Sequence, residues 1–372
     1  MFYNYFSLDD RLQRLEIFHI GKNTKYIALK IKIIFYLLMK RKISVWKVIN
    51  VFISFYSYLF KLDTSGKTPV VIIAELSNRC NESCVFCRDE KGRIYDSNET
   101  NDNEYIEKGS IDYDLFHNII HEVKKTTLLT IPYTNGEPFV YQHLDQVLHL
   151  LKVTKMGSML STNGLLLNEK NINLILQEDL DQIKIHVSGF TNKVHQIEHR
   201  VGNVELIKEN MINLSKKVRL HKSRLIVLVD YILYEHNKHE LEQFRRFAKA
   251  LGFGFNIRPG NNKGMEETEK AHIRKDVTDM PCEWLWKVMA INWNGDLLPC
   301  CDYVTWSNTP GFARYIDKSG KDLDHHTNTT SSVTKTWNGE KVIKMRQVHR
   351  TDGRKPIPIC SGCSKTGVEY KY

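Results

Sequence analysis

Three cysteines within eight positions, Cys80, Cys84 and Cys87 of "RCNESCVFC" (79–87), form the densest cluster of metal-ligating side chains in a chain of 372 residues that has eight cysteines in all. The C-x3-C-x2-C spacing lets one loop offer three thiolates to three irons of a [4Fe–4S] cluster, leaving the fourth iron without a protein ligand. Electron-carrying clusters take four thiolates, so the vacancy implies a coordination site kept for a substrate or cofactor. Spacing alone also admits a zinc knuckle. A second group, Cys282, Cys300, Cys301, Cys360 and Cys363, lies near the C-terminus. Cysteine is too sparse for a disulfide scaffold and no signal-peptide cleavage pattern opens the chain, so a reducing, cytoplasmic compartment is expected.

The elements that must position these thiols alternate in kind. Short β-rich runs at 70–76, 128–133, 158–162, 182–188, 225–233 and 253–259 are separated by amphipathic stretches such as "YDLFHNIIHEVKK" (113–125), "LDQVLHLLKVTK" (144–155) and "KHELEQFRRFAKAL" (238–251). Six βα repeats imply an α/β fold, a parallel sheet or barrel with helices outside, whose sites lie at the C-terminal strand ends. Cys80, Cys84 and Cys87 then occupy the loop after the first strand. Residues 96–110 read as a long polar loop. Residues 288–302 read as a hairpin turning at Asn294-Gly295, and 315–336 as irregular. The cysteine pairs bracketing this last region suggest a small domain organised by a metal centre rather than by a large core.

On these motifs the chain resembles the radical S-adenosylmethionine (radical SAM) superfamily, whose signature is the C-x3-C-x2-C spacing. "YTNGEPF" (133–139) resembles the family's Gly-Gly-Glu-Pro stretch, with Asn135 in place of the first glycine; there the backbone at Asn135 and Gly136, with Glu137, would receive the SAM ammonium group. "STNGLLL" (161–167) is similar to the family's third-strand end. Ser188 and Arg200, twelve residues apart, match a serine and an arginine that contact the ribose and carboxylate of SAM, although Ser-Gly-Phe-Thr replaces the usual Ser-hydrophobic-Asp-Gly. Phe86 matches an aromatic position near the adenine. Cys282, Gly295 and Cys300 give C-x12-G-x4-C, the opening of the auxiliary-cluster domain called SPASM, or Twitch when shortened. By that resemblance Cys282, Cys300, Cys360 and Cys363 hold one auxiliary [4Fe–4S] cluster, with structural zinc as the alternative. Cys301 is expected to be a buried thiol, since neighbours on a strand face opposite ways; a hydrogen-atom donor or substitute ligand is the alternative.

The resemblance implies a partial (β/α)6 TIM-like barrel over 69–260, an auxiliary-cluster domain over 261–372 and a basic helical extension over 1–68. It implies an enzyme with two [4Fe–4S] clusters and SAM, which cleaves SAM reductively to a 5′-deoxyadenosyl radical that abstracts a hydrogen atom from substrate, with flavodoxin or ferredoxin as electron donor. A sugar, lipid-linked glycan or other small metabolite is the substrate expected first, because no winged-helix module precedes the barrel. The architecture also resembles radical SAM proteins associated with cell-surface polysaccharides. Peptide modification is the alternative. A reading of another class is a non-catalytic metal- or nucleic-acid-binding protein. Strand alternation puts Lys184 and His186 on the same face as Ser188. His186, Asp302 and Arg258 are candidate substrate contacts, each also explicable as a satisfied polar residue, and Asp302 and Cys301 are the candidate catalytic groups beside the auxiliary cluster.

Charge singles out the N-terminal segment. Residues 1–68 hold 12 Lys/Arg against 4 Asp/Glu, so they carry +8 of the chain's +10. Within them "RKISVWKVINVFISFYSYLFK" (41–61) is aromatic-rich but too interrupted for a membrane span. It reads either as a helix docked on the next domain with its lysines solvated, or as a peripheral contact with an anionic membrane. No basic run recurs elsewhere, so no nucleic-acid partner is expected.

Overall fold

A computed structural model of the protein describes residues 32–96, 105–260, 279–305, 311–316, 329–361 and Cys363. Six strands follow one another as expected: β1 (Val71–Ala74), β2 (Leu129–Ile131), β3 (Gly157–Thr162), β4 (Gln182–Val187), β5 (Ile226–Leu233) and β6 (Gly254–Pro259). Each pairs with the next in parallel register, for example Ile72 with Thr130 and His186 with Asp230. Helices α2 (Tyr113–Val123), α3 (Leu144–Val153), α4 (Glu169–Gln177), α5 (Asn192–His199), α6 (Val204–Leu220) and α7 (Leu241–Ala250) fill the crossovers, after an N-terminal α1 (Val45–Leu59). Local chemistry sets their starts: the side chains of Asp112, Asn168 and Asn203 accept from backbone N–H groups of the first turns of α2, α4 and α6.

The two faces of the sheet differ. On the outer face Ile72, Leu160, Ile183, Ile185 and Val229 pack with Phe116, Ile119, Leu148, Ile207 and Phe244 from the helices. The inner face is apolar across β1–β3, where Val71, Ile73, Leu129, Ile131 and Met159 form a second cluster. Across β4–β6 the same face carries a polar group, Lys184, His186, Asp230, Asn256 and Arg258, beside the apolar Ile226, Leu228 and Ile232.

Beyond β1 the sheet continues. Strand β7 (Val288–Ile291) pairs in parallel with β1, then β8 (Asp296–Leu298), β9 (Ala313–Tyr315) and β10 (Thr329–Thr330) extend the edge, giving the order β10-β9-β8-β7-β1-β2-β3-β4-β5-β6. The β7–β8 hairpin turns at Gly295, whose φ of +91° suits glycine. The C-terminal region has more core than its sequence suggests. Trp286, Trp337 and Arg346 are almost wholly buried, and Trp286, Met289, Leu297 and Trp337 belong to the same apolar cluster as the barrel helices. Part of the stretch expected to be irregular is α8 (Val333–Trp337), followed by α9 (Glu340–Thr351); Arg346 holds this corner by donating to the carbonyls of Leu285, Asp63 and Trp337. Residues 97–104, within the expected long loop, lie outside the described residues, and its flanks Ile94–Tyr95 and Tyr105–Ile106 pair as a short ribbon.

Helix α1 docks on the barrel, but with the face opposite to the one expected. Lys47, Asn50, Ser54 and Ser57 are buried, whereas Trp46, Phe52 and Tyr56 point outwards. The reason lies in the surface it meets, the loops that lead into the strands, which present backbone carbonyls. Lys47 Nζ donates to the carbonyls of Lys42 and Lys155, and Asn50 Nδ2 to those of Thr68 and Thr126. Lys40 and Lys42 pair with Asp181 at 3.0 and 2.7 Å. An unpaired buried carbonyl costs more than a displaced apolar contact, so polar donors take the inside. Among the described residues no helix is long and apolar enough to cross a membrane.

Candidate functional site

The loop after β1 folds back on the turn after β2. Gly136 makes this possible: a Cβ there would lie 2.1 Å from the Ser77 carbonyl oxygen and 2.6 Å from that of Arg79. Arg88, almost fully buried, donates to the Asn78 and Asn135 carbonyls, and Glu137 N donates to Arg79 O at 3.0 Å. Beneath them the buried Glu75 carboxyl accepts from Thr134 Oγ1 (2.8 Å) and Asn135 Nδ2 (3.1 Å), and burial pushes it up to about 7. Asn135, the departure from the expected glycine, thus serves as a side-chain donor.

Cys80, Cys84 and Cys87 meet at this junction as thiols, Cys84 buried and the others half-buried. Burial pushes Cys80 up to about 12, and desolvation, with Glu82 and the two neighbouring thiols, holds Cys84 well above the ordinary thiol range. Sulfurs so placed ionise when a cation offsets their charge, and the donor set fits an iron cluster.

The other expected site residues converge on the same strand ends, with contacts of their own. The Glu137 carboxyl, buried and pushed up to about 7 by desolvation, accepts from Thr162 Oγ1 and from Asn163 N, both at 2.9 Å, which ties the ends of β2 and β3 together. Arg200, at the end of α5, donates to the carbonyls of Ser83 (2.8 Å) and Arg88 (2.9 Å), so it braces the cysteine loop. Ser188 Oγ lies 3.0 Å from His199 Nε2, and Phe86 packs edge-on against the His199 ring at 5.8 Å.

Three residues of this site escaped sequence reasoning. His199 Nδ1 is 3.1 Å from Glu82 Oε2, and His195 stacks on His199 at 4.1 Å. The i, i+4 pair His195 and His199 in "HQIEH" was the available signal. Glu82, His195 and His199 lie close enough together to suggest a metal site. The tautomer argues against it: Ser188 N donates to His195 Nδ1, so the neutral ring carries its proton on Nε2, the only other atom that could ligate.

The polar inner wall lies alongside. The fully buried Asp230 receives Lys184 at 3.4 Å, Arg258 at 3.7 Å and Asn256 Nδ2 at 2.9 Å, and despite desolvation these cations hold its carboxyl far below the ordinary range. His186 contacts Ser161 Oγ, and burial pushes it down to about 3, so it is neutral.

In the C-terminal region Cys282, Cys300 and Cys360 surround Tyr303, whose hydroxyl is pushed up by desolvation and then by these thiols. Cys360 is likewise raised by burial, Cys282 and Cys363. Cys282 N donates to His349 Nδ1 at 3.1 Å. Asp302, a candidate catalytic group, lies with its carboxylate 3.8 Å from Cys363 Sγ. Cys301 opens a 3₁₀ turn, Cys301–Thr305, rather than continuing a strand, so the alternation expected for it does not apply; it is half-buried against the inner-face cluster of Val71, Ile73 and Leu129.

The radical SAM superfamily matches residues 74–248, and SPASM, an iron-sulfur cluster-binding domain, matches 282–364. The chain belongs to the radical SAM superfamily and carries a C-terminal SPASM domain. Similar proteins include two described as PqqA peptide cyclase. That of Granulibacter bethesdensis is 20% identical over 81% of this chain and 81% of its own length; that of Gluconobacter oxydans is 20% identical over 51% and 49%, so the match spans about half of that relative. Streptococcus suis SuiB shares the fold in crystal structures with S-adenosylmethionine (14% identity, TM-score 0.54, 82% and 74% of the two chains) and with the precursor peptide SuiA (13%, 0.54, 85% and 75%). This radical SAM enzyme accordingly takes SAM and [4Fe–4S] clusters, one SAM-binding and one auxiliary, as its cofactors.

Proposed function

We propose that this radical SAM enzyme cleaves SAM at Cys80, Cys84 and Cys87 and modifies a peptide. The observation that carries the first part is the convergence of these three thiols with Glu137, Ser188 and Arg200 at the C-terminal ends of β1–β4. When bound, the cluster and SAM together supply one-electron cleavage of the sulfonium, releasing methionine and a 5′-deoxyadenosyl radical that abstracts a hydrogen atom.

The chain's own residues prepare that step. Cys80, Cys84 and Cys87 would hold the SAM cluster, and Cys282, Cys300, Cys360 and Cys363 the auxiliary one. Arg88 ties the cysteine loop to the Asn135 carbonyl and Arg200 braces it through the carbonyls of Ser83 and Arg88, so the thiols need not reorganise. Glu137 fixes the facing strand ends and offers a carboxyl to the SAM ammonium, while Asn135 and Gly136 offer backbone. Phe86 closes one side against water. His186 and Arg258, on the polar inner wall, would meet the substrate; Asp302 and Cys301 would act beside the auxiliary cluster. Flavodoxin or ferredoxin would deliver the electron. We also propose a peripheral membrane contact through residues 41–61.

The peptide reading replaces the glycan or small metabolite expected first, and rests on the PqqA peptide cyclases and on SuiB with its precursor peptide. Anaerobically reconstituted, reduced enzyme should release 5′-deoxyadenosine from SAM, and a peptide pool should accelerate it where nucleotide sugars do not. Release no faster than that of a Cys84→Ala variant would remove the catalytic reading; acceleration by nucleotide sugars alone would restore the glycan.

A further inference from the structure

We propose that α1 docks the chain on an anionic lipid bilayer with the N-terminal strand ends of the barrel towards the membrane, so that the proposed SAM site faces away from it. This rests on the peripheral-contact reading and adds to it an orientation and a consequence for substrate entry.

The docking face is built rather than incidental. Lys47, the one charged residue of α1, is buried with Asn50, Ser54 and Ser57 against the barrel. Trp46, Ile49, Phe52, Ile53, Tyr56 and Phe60 are left outside, with Trp46 65% and Phe52 67% exposed. A contiguous apolar surface of this kind marks an interaction site. Large aromatic side chains on a helix lying flat are suited to the headgroup and acyl boundary. Its margins are basic: Lys32, Arg41 and Lys67 are exposed. The one acid between residues 32 and 67, Asp63, is paired with Arg350 at 2.8 Å. That charge complements anionic lipid, whereas a second copy would bring like charges together across a two-fold axis.

The orientation follows from what α1 touches. Thr68, Thr126, Lys155 and, beside α1, the segment of Asp179 and Asp181 all lie just ahead of β1, β2, β3 and β4. These are the N-terminal strand ends. The cysteine loop, Asn135 and Ser188 follow the C-terminal ends of the same strands. Strands of this length separate the two ends by roughly 10–20 Å. Helix α1 is therefore an anchor and not an entrance, and substrate reaches the site from the aqueous side.

The test uses the full-length holoenzyme with phosphatidylcholine vesicles, with and without about one-third phosphatidylglycerol. The wild type should co-sediment with the anionic vesicles, and Phe52→Glu should weaken partitioning roughly tenfold or more while leaving 5′-deoxyadenosine release unchanged. Bound to vesicles, trypsin cleavage at Arg41 should be suppressed while cleavage at Lys91, on the cysteine-loop side, continues. Absence of partitioning overturns the anchor. Partitioning with Lys91 protected and Arg41 cut overturns the orientation alone. Self-association abolished by Phe52→Glu, without vesicle binding, makes a second copy the occupant and overturns the proposal. Loss of 5′-deoxyadenosine release in the wild type would instead count against the catalytic reading.

Discussion

His199 joins Ser188 to Cys84: its Nε2 lies 3.0 Å from Ser188 Oγ, and its Nδ1 lies 3.4 Å from Cys84 Sγ and 3.1 Å from Glu82 Oε2. All four residues are buried, and Cys84 Sγ also lies 3.3 Å from Glu82 Oε2, so the ring closes a small polar network that is shut off from water. The Glu82 carboxylate favours a proton on Nδ1, which leaves Nε2 to accept from the serine. His199→Phe would keep the ring volume and strand both partners. We expect it to lower unfolding stability by about 2–3 kcal/mol, read from anaerobic urea denaturation; an unchanged midpoint would show the bridge to be incidental.

Gly136 lets the turn after β2 pack against the cysteine loop. Gly136→Ala places a methyl group on the Ser77 and Arg79 carbonyls, backbone atoms that cannot rotate away. Reconstituted iron should fall from about eight to about four per chain, because the cysteine loop is displaced and the C-terminal thiols are untouched. Full loading would contradict the geometry.

Asp230 balances two cations on the inner wall. Asp230→Ala leaves Lys184 buried beside Arg258 without its partner, at a cost of about 3–5 kcal/mol. Removing the charge from both members, as Lys184→Met with Asp230→Leu, should recover most of that loss. Thermal denaturation of the single and double variants checks the order; a double variant less stable than Asp230→Ala would refute the pairing.

Glu75 gives the fold a pH dependence of defined sign. Its folded value of about 7 lies above the ordinary 4.5 because burial opposes ionisation. Below pH 4.5 the group is protonated in both states and costs nothing. As pH rises towards 7 only the unfolded state ionises freely, so stability falls, by on the order of 3 kcal/mol in all. Glu75→Gln should flatten this slope in denaturation midpoints measured between about pH 5 and 8. An unaltered slope would assign the dependence to other groups.

Much of the fold was legible because parallel strands buried on both faces read as continuous apolar runs, and the six runs appear as β1–β6 within a few residues. The thiol motif placed its loop correctly for the same reason. Helix α1 was misread in one respect: an amphipathic pattern identifies two faces but not which is inside, and here the carbonyls of the loops below select the polar one. Glu82 and His199 were missed because 117 residues separate them. Helix α9 was missed because its largest buried side chain is Arg346, whose guanidinium satisfies carbonyls from three segments, a role that hydrophobic periodicity does not reveal.

The division of labour between the two cysteine sets is tested most directly by pairing iron analysis with 5′-deoxyadenosine formation in Cys84→Ala and Cys360→Ala. We expect each variant to lose about four of about eight irons per chain, with Cys84→Ala alone losing SAM cleavage entirely. Zinc in place of iron at Cys80, Cys84 and Cys87, or SAM cleavage that survives Cys84→Ala, would contradict the account.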